Sequence, residues 1–151
     1  MDHQDIQQQV LIEQATLAHV VSALRTTLGW KSRVEDISRK HSSVLFVCES
    51  FQRHLKRLFH LEQSEGYMAV VLDSRPELSD PVRTLRRQHT DFRKKLREIL
   101  IRLRAIGPTE RAAFTQTSGE LEMLLDRLDD HHRQEAALLQ EALLRDEGGE
   151  G

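Results

Sequence analysis

The chain has 151 residues, enough for one domain to bury a core without disulfides or a structural metal. Charged residues make up 30% and aromatics 5%, with seven Gly and three Pro, which favours long amphipathic helices over sheets. The formal net charge is −2 with Arg and Lys interspersed among Asp and Glu, so the sequence offers no basic face for nucleic acid.

No apolar run approaches the ~20 residues a membrane span needs, and the polar start MDHQDIQQQ lacks the sections of a signal peptide. The single Cys48 has no CxxC partner and no internal disulfide partner, which fits a reducing compartment. These features predict a soluble cytoplasmic protein.

Apolar residues stepping by three and four mark four helical faces in chain order. The first runs Val10, Gln14, Leu17, Val21, Leu24, Leu28, with Gly29 as a C-cap in the left-handed conformation glycine tolerates. Residues 30–43 follow as a long linker, with one helical turn opened by a Ser32-to-Glu35 capping box. The second stripe runs Val44, Cys48, Phe51, Leu55, Leu58, Glu62, Glu65, Ala69, Leu72, and Pro76 lies beyond its end. The third runs Val82, Leu85, His89, Phe92, Leu96, Ile99, Leu103, Ile106, opened by Ser79 or Asp80 with Pro81 at the first helical position. The fourth, after the Gly107-Pro108-Thr109 turn, runs Leu121, Leu124, Leu128, His131, Glu135, Leu138, Ala142. Gly119 costs its helix about 1 kcal/mol relative to Ala and predicts a break or start near Thr117. Short connections at 73–80 and 107–109 predict antiparallel neighbours: an all-α, up-down-up-down four-helix bundle over residues 1–145, with a disordered acidic tail at 146–151.

Every stripe carries a polar interruption, and helical rise says whether the interruptions share a level. Glu62 and His89 lie about ten residues either side of the turn at 73–80, so they meet within a few Å. His89 and His131 lie about 18 and 22 residues from the Gly107-Pro108 turn, a mismatch of roughly one helical turn that long side chains absorb. Gln14 joins the same layer if the second bundle helix starts near Ser43. Two imidazoles and two carboxylates in one buried layer need partners, because an unpaired buried carboxylate is very costly. A metal ion is the simplest partner. His131 and Glu135, one turn apart on one face, can reach a single ion, and mixed imidazole and carboxylate donors suit iron, manganese or zinc.

The motifs resemble the hemerythrin-like family, or HHE cation-binding domain. Its pattern has a His in the first helix, His-Phe-x-x-Glu-Glu in the second, Leu-x-x-Glu-His in the third and Leu-x-x-His-x-x-x-Glu in the fourth. LRRQH (Leu85 to His89) and LDDHHRQE (Leu128 to Glu135) match the third and fourth. LFHLEQ keeps Phe59 and Glu62 but has Leu58 where the ligand His belongs, and VLIEQATL has Gln14 in that place. The resemblance implies a bundle that binds non-haem iron, often as a carboxylate-bridged pair, for oxygen binding or for iron, oxygen or nitric-oxide sensing. It also implies that His89 and His131 are terminal ligands and Glu62 and Glu135 bridging carboxylates. With Gln14 and Leu58 in place of two His, the set Glu62, His89, His131 and Glu135 is expected to hold a single ion or an incomplete pair.

The expected partners are a metal ion, foremost iron, and dioxygen. The alternative is a metal-free bundle acting as a structural or protein-interaction module, with Arg93 neutralising Glu62 or Glu135. A third reading is an oxidase or peroxidase using an open metal position. His54, about 12 Å along the axis from Glu62, reads as structural. His3 and His60 read as solvent-facing, His132 as a rim residue and Glu65 as a reserve carboxylate. His19, off the first stripe, and His41, in the linker, become ligands only if the helical register differs. Phe51, Phe59 and Phe92 read as core.

Overall fold

The computed structural model of the chain describes residues 3–31, 37–64 and 66–148. Four long helices form an all-α bundle: α1 (His3–Leu28), α2 (Ser38–Ser64), α4 (Ser79–Ala105) and α5 (Arg111–Gly148). A short helix α3 (Tyr67–Ser74) and a 3-10 turn (Pro76–Leu78) connect α2 to α4. Among the described residues no helix is long and apolar enough to cross a membrane.

The helices exist because their apolar stripes have a common place to go. Val44, Cys48, Phe51, Leu55 and Leu58 of α2 and Phe92, Leu96, Ile99 and Leu103 of α4 are buried against Leu121, Leu124 and Leu128 of α5. Contacts run in opposite order along consecutive helices, as antiparallel neighbours require. Lys40 donates to the Trp30 carbonyl at 2.6 Å, while Glu13, early in α1, meets His54, late in α2. His41 meets the Leu103 carbonyl near the end of α4, and Gln63 meets His89 near its start.

Several local expectations are corrected. The second helix starts at Ser38, five residues before Ser43, because Ile37 is already buried and its N–H donates to the Pro108 carbonyl at 3.1 Å. The Ser32-to-Glu35 capping box and the reserve carboxylate Glu65 lie outside the described residues. The second stripe does not continue as one helix to Leu72. Gly66 begins α3 so close to α2 that a Cβ there would lie 2.8 Å from the Leu61 carbonyl and 2.9 Å from the Glu62 Cα. That close approach rotates α3, so Met68 and Val71 are buried rather than Ala69 and Leu72.

α5 runs unbroken through Gly119, since buried Phe114 and Thr117 anchor the turns before it. It continues to Gly148, so residues 146–148 are helical, whereas 149–151 lie outside the described residues. Helix propagation from a packed segment needs no further nucleation, which explains the extension. Gly29 ends α1 by donating to the Arg25 and Thr26 carbonyls, at 3.0 and 3.2 Å, without positive φ.

Candidate metal centre

A polar layer divides the core into two apolar clusters. On one side lie Leu55, Leu58, Phe59, Phe92 and Leu128 with the larger cluster. On the other, Met68, Val71, Leu78, Val82, Leu85, Leu138 and Ala142 close the bundle end. Between them sit Glu62, His89, His131 and Glu135, with residue exposures of 0, 0, 1 and 5%. α2 contributes Glu62 from its last turn, α4 contributes His89, and α5 contributes His131 and Glu135 from one face at i and i+4.

The donor atoms converge. His89 Nε2 lies 3.1 Å from His131 Nε2, which lies 2.8 Å from Glu135 Oε1; Glu62 Oε1 is 4.0 Å from His89 Nε2. One ligand atom from each of His89, His131 and Glu135 lies within 4.8 Å of the others. Metal bonds of about 2.0–2.2 Å leave two ligands of one ion at most roughly 4.4 Å apart, a limit that the 2.8, 3.1 and 4.0 Å separations meet, while the 4.8 Å span of the group would have to close slightly around an ion. Both oxygens of Glu62 are buried without a hydrogen-bond partner.

The surroundings hold the rings in place. Phe59 stacks on His89 with centroids 3.7 Å apart and planes 9° from parallel, while Phe92 meets His131 edge-on at 5.4 Å. Gln88 Oε1 lies 2.6 Å from His131 Nδ1 and accepts its proton, which turns the Nε2 lone pair inward. Gln63 Nε2 donates to His89 Nδ1 at 3.0 Å, so the proton of the neutral His89 ring sits on Nε2 and faces His131. An inward lone pair at 2.8 Å from a carboxylate oxygen is repulsive unless a proton or a metal ion lies between them.

Burial, then His131, lowers the His89 pKa to about 3, so its ring is neutral at neutral pH. Burial also raises Glu62 well above the carboxylate range, and the neighbouring Glu135 raises it further. For Glu135 burial acts upward but is outweighed by its close contacts with His131 and His132 and by the shared proton of Glu62, leaving it below the ordinary range. Without a metal, then, Glu62 holds a proton and Glu135 the negative charge. Two carboxylates split in this way mark a site that stabilises added positive charge.

His89, His131 and Glu135 are brought together as one group, Glu62 lies in the same layer 4.0 Å from His89 Nε2 but outside that group, and Gln14 does not join them. It is exposed, because the adjacent Glu13 turns inward instead, is 6% exposed, and binds His54 Nδ1 at 2.6 Å. Gln14 and Leu58 instead line a cleft of about 650 Å³ between α1 and α5, whose wall includes Tyr67, His132 and Glu135. Arg93 is exposed rather than paired inside the layer, and Glu62 has no hydrogen-bonding partner there, so the expected neutralising contact to Glu62 is not made.

His132 is half-buried at the rim, 3.3 Å from Glu135 Oε1. His19 and His60 are exposed. His41 belongs to α2 and bonds the Leu103 carbonyl, far along the bundle from the layer. Sequence reasoning missed Gln63, Gln88 and Tyr67, whose hydroxyl donates to Glu135 Oε2 at 2.6 Å. The signal for the two glutamines was adjacency to a ligand. For Tyr67 it was Gly66, a glycine inside an apparently helical stripe.

The model of the hemerythrin HHE cation binding domain family matches residues 3–143. No curated protein and no solved structure matches the chain.

Proposed function

Since this chain belongs to the hemerythrin HHE cation-binding domain family, we propose that it holds non-haem iron, or another divalent metal, as a single ion in the bundle core. Glu62, His89, His131 and Glu135 are the ligands in this reading, and oxygen or iron binding or sensing is the use. The observation that carries it is the buried donor cluster: ligand atoms of His89, His131 and Glu135 lie within 4.8 Å of one another, and the fully buried Glu62 beside them has only the neighbouring Glu135 carboxylate to share a proton with. Groups of this kind are retained where a cation completes them.

A bound iron would supply redox chemistry and an open coordination position. The chain's own residues do the rest. Phe59 and Phe92 keep water from one side of the layer and fix both rings, and the Leu85 and Leu138 cluster covers the other. Gln88 accepts from the outer nitrogen of His131, which leaves the inner one for the site, while Gln63 donates to the outer nitrogen of His89 and fixes that ring's position. His132, at the cleft rim, offers a protonatable group beside Glu135. A reducing cytoplasm, the compartment that suits a lone buried Cys48, would keep iron ferrous.

Anaerobic loading with ferrous iron followed by metal analysis tests the reading. The expected result is about one ion per chain, with stabilisation of about 2.7 kcal/mol at a hundredfold excess over Kd. His131→Ala and Glu135→Gln should abolish both. Absence of metal, with His89→Ala no worse than an ordinary core truncation, would leave the metal-free interaction bundle as the surviving alternative.

A further inference from the structure

The two oxygens of Glu135 have different neighbours. Oε1 faces His131 Nε2 at 2.8 Å and His132 Nδ1 at 3.3 Å, whereas Oε2 accepts the Tyr67 hydroxyl proton at 2.6 Å. A carboxylate that bridges two cations through one oxygen each needs both oxygens turned to the ions, and a hydrogen bond to either oxygen weakens it as a ligand. The space where a second ion would approach Glu135 is the cleft between α1 and α5, which Gln14, Leu58, Tyr67 and Glu135 line together. Its volume of about 650 Å³ leaves room for another ion and its waters, so lack of space does not limit the count. Two features do. Gln14 and Leu58 present no metal-binding nitrogen, and the Tyr67 proton already occupies the outward oxygen.

The placement of Tyr67 follows from the backbone. It is the first residue of α3, directly after Gly66, and the missing Cβ of Gly66 lets α3 start against the backbone of Leu61 and Glu62. The phenol thereby reaches a carboxylate on α5 from the junction beside the Glu62 turn of α2. The phenol hydroxyl, 2.6 Å from Glu135 Oε2, serves there as a hydrogen-bond donor.

We propose that Tyr67 is a positioning residue that caps Oε2 of Glu135, biases that carboxylate to one-oxygen coordination, and so limits the layer to one metal ion. This rests on the single-ion reading above. The short charge-assisted hydrogen bond fixes the carboxylate rotation as well as its denticity.

Metal counting separates the two ideas. The full chain, Gln14→His/Leu58→His, and the same pair with Tyr67→Phe are each loaded with cobalt(II) and analysed, with circular dichroism reporting the fold. The expected counts are about one, one and two ions per chain, because nitrogens on the cleft wall cannot recruit a second ion until the capping proton is removed. Two ions in the pair with Tyr67 intact would overturn the capping role while leaving the metal site standing. A single ion in the triple variant would also overturn it. No ion in the unaltered chain would remove the underlying site and the inference with it. If the triple variant does not fold, Tyr67→Phe alone decides. Its freed oxygen should raise the cobalt coordination number and at least halve the visible absorption; a spectrum superimposable on that of the unaltered protein would refute the cap.

Discussion

In the metal-free protein Glu62 must stay neutral, and this makes stability depend on pH in a direction that one substitution can remove. Glu62 is fully buried, neither oxygen has a hydrogen-bond partner, and burial followed by the proximity of Glu135 raises its pKa far above the ordinary 4.5. The folded chain therefore keeps a proton that the unfolded chain releases above about pH 4.5. The associated stability is complete below that value and is lost as pH rises towards the folded pKa, by about 1.4 kcal/mol per pH unit, or about 2 kcal/mol between pH 7 and 8.5. The lowered pKa of His89 has the opposite sign, but its window lies between about 3 and 6.5, so it offsets nothing above pH 7. Glu135, shifted downward, is ionised in both states there.

Urea unfolding of the metal-free protein across pH 7–8.5 should show this decline, and Glu62→Gln, which keeps the shape without the ionisation, should be flat. With saturating metal the slope should vanish, because coordination holds Glu62 deprotonated in the folded state as it is in the unfolded one. Equal slopes for the metal-free protein and Glu62→Gln would show that Glu62 is not held protonated by burial, and the electrostatic argument for the site would fail.

A Cβ added at Gly119 meets nothing within 4 Å, so Gly119→Ala should stabilise the chain by about 1 kcal/mol and raise Tm by several degrees in calorimetry. The Cys48 thiol is fully buried, and burial, with Glu49 adding to it, pushes its pKa up to about 12. It should therefore resist alkylation in the native state and react only on unfolding, which mass spectrometry after timed quenching would show. His54→Ala leaves the buried Glu13 without its 2.6 Å partner and should cost about 1–3 kcal/mol in urea unfolding. Metal content should be unchanged in that variant, since the pair is not in the metal layer.

The faces of α4 and α5 were legible in the sequence because their stripes are backed by strongly polar residues: Val82 to Leu103 and Leu121 to Ala142 are buried at each stripe position. Those stripes carried His89, His131 and Glu135 into one layer. α1 was less legible. One residue turns a helix by about 100°, so Glu13 and Gln14 straddle the edge of its stripe. Only a partner on another helix, His54, decides which of them faces in. Such a contact is long-range and leaves no periodic trace. The same limit hid Tyr67: the stripe appeared continuous through Glu62, Ala69 and Leu72. The chain departs from it because Gly66 permits an approach that a Cβ would block. The glutamines were hidden for a different reason. Gln63 and Gln88 are half-buried, so a pattern that separates apolar from polar positions assigns them to the edge, although each holds a ring nitrogen.

The layer is asymmetric, and that asymmetry is the strongest argument against treating it as an incidental buried network. A bundle gains more stability from leucine than from an imidazole and carboxylate layer, since each buried ionisable group gives up several kcal/mol of hydration. Relaxed of any ligand role, such a layer would be expected to lose its polar groups throughout. Here the loss is confined to one side: Leu58 is apolar and Gln14 is exposed, both along the cleft. Across from them, four donors remain buried, both rings are packed by phenylalanines, and both outer ring nitrogens are held by glutamines. Support of that kind improves the aim of lone pairs more than it improves packing. Aim matters only when something binds at the point where the lone pairs meet. The intact half is therefore better explained by one retained cation than by a pair in partial decay.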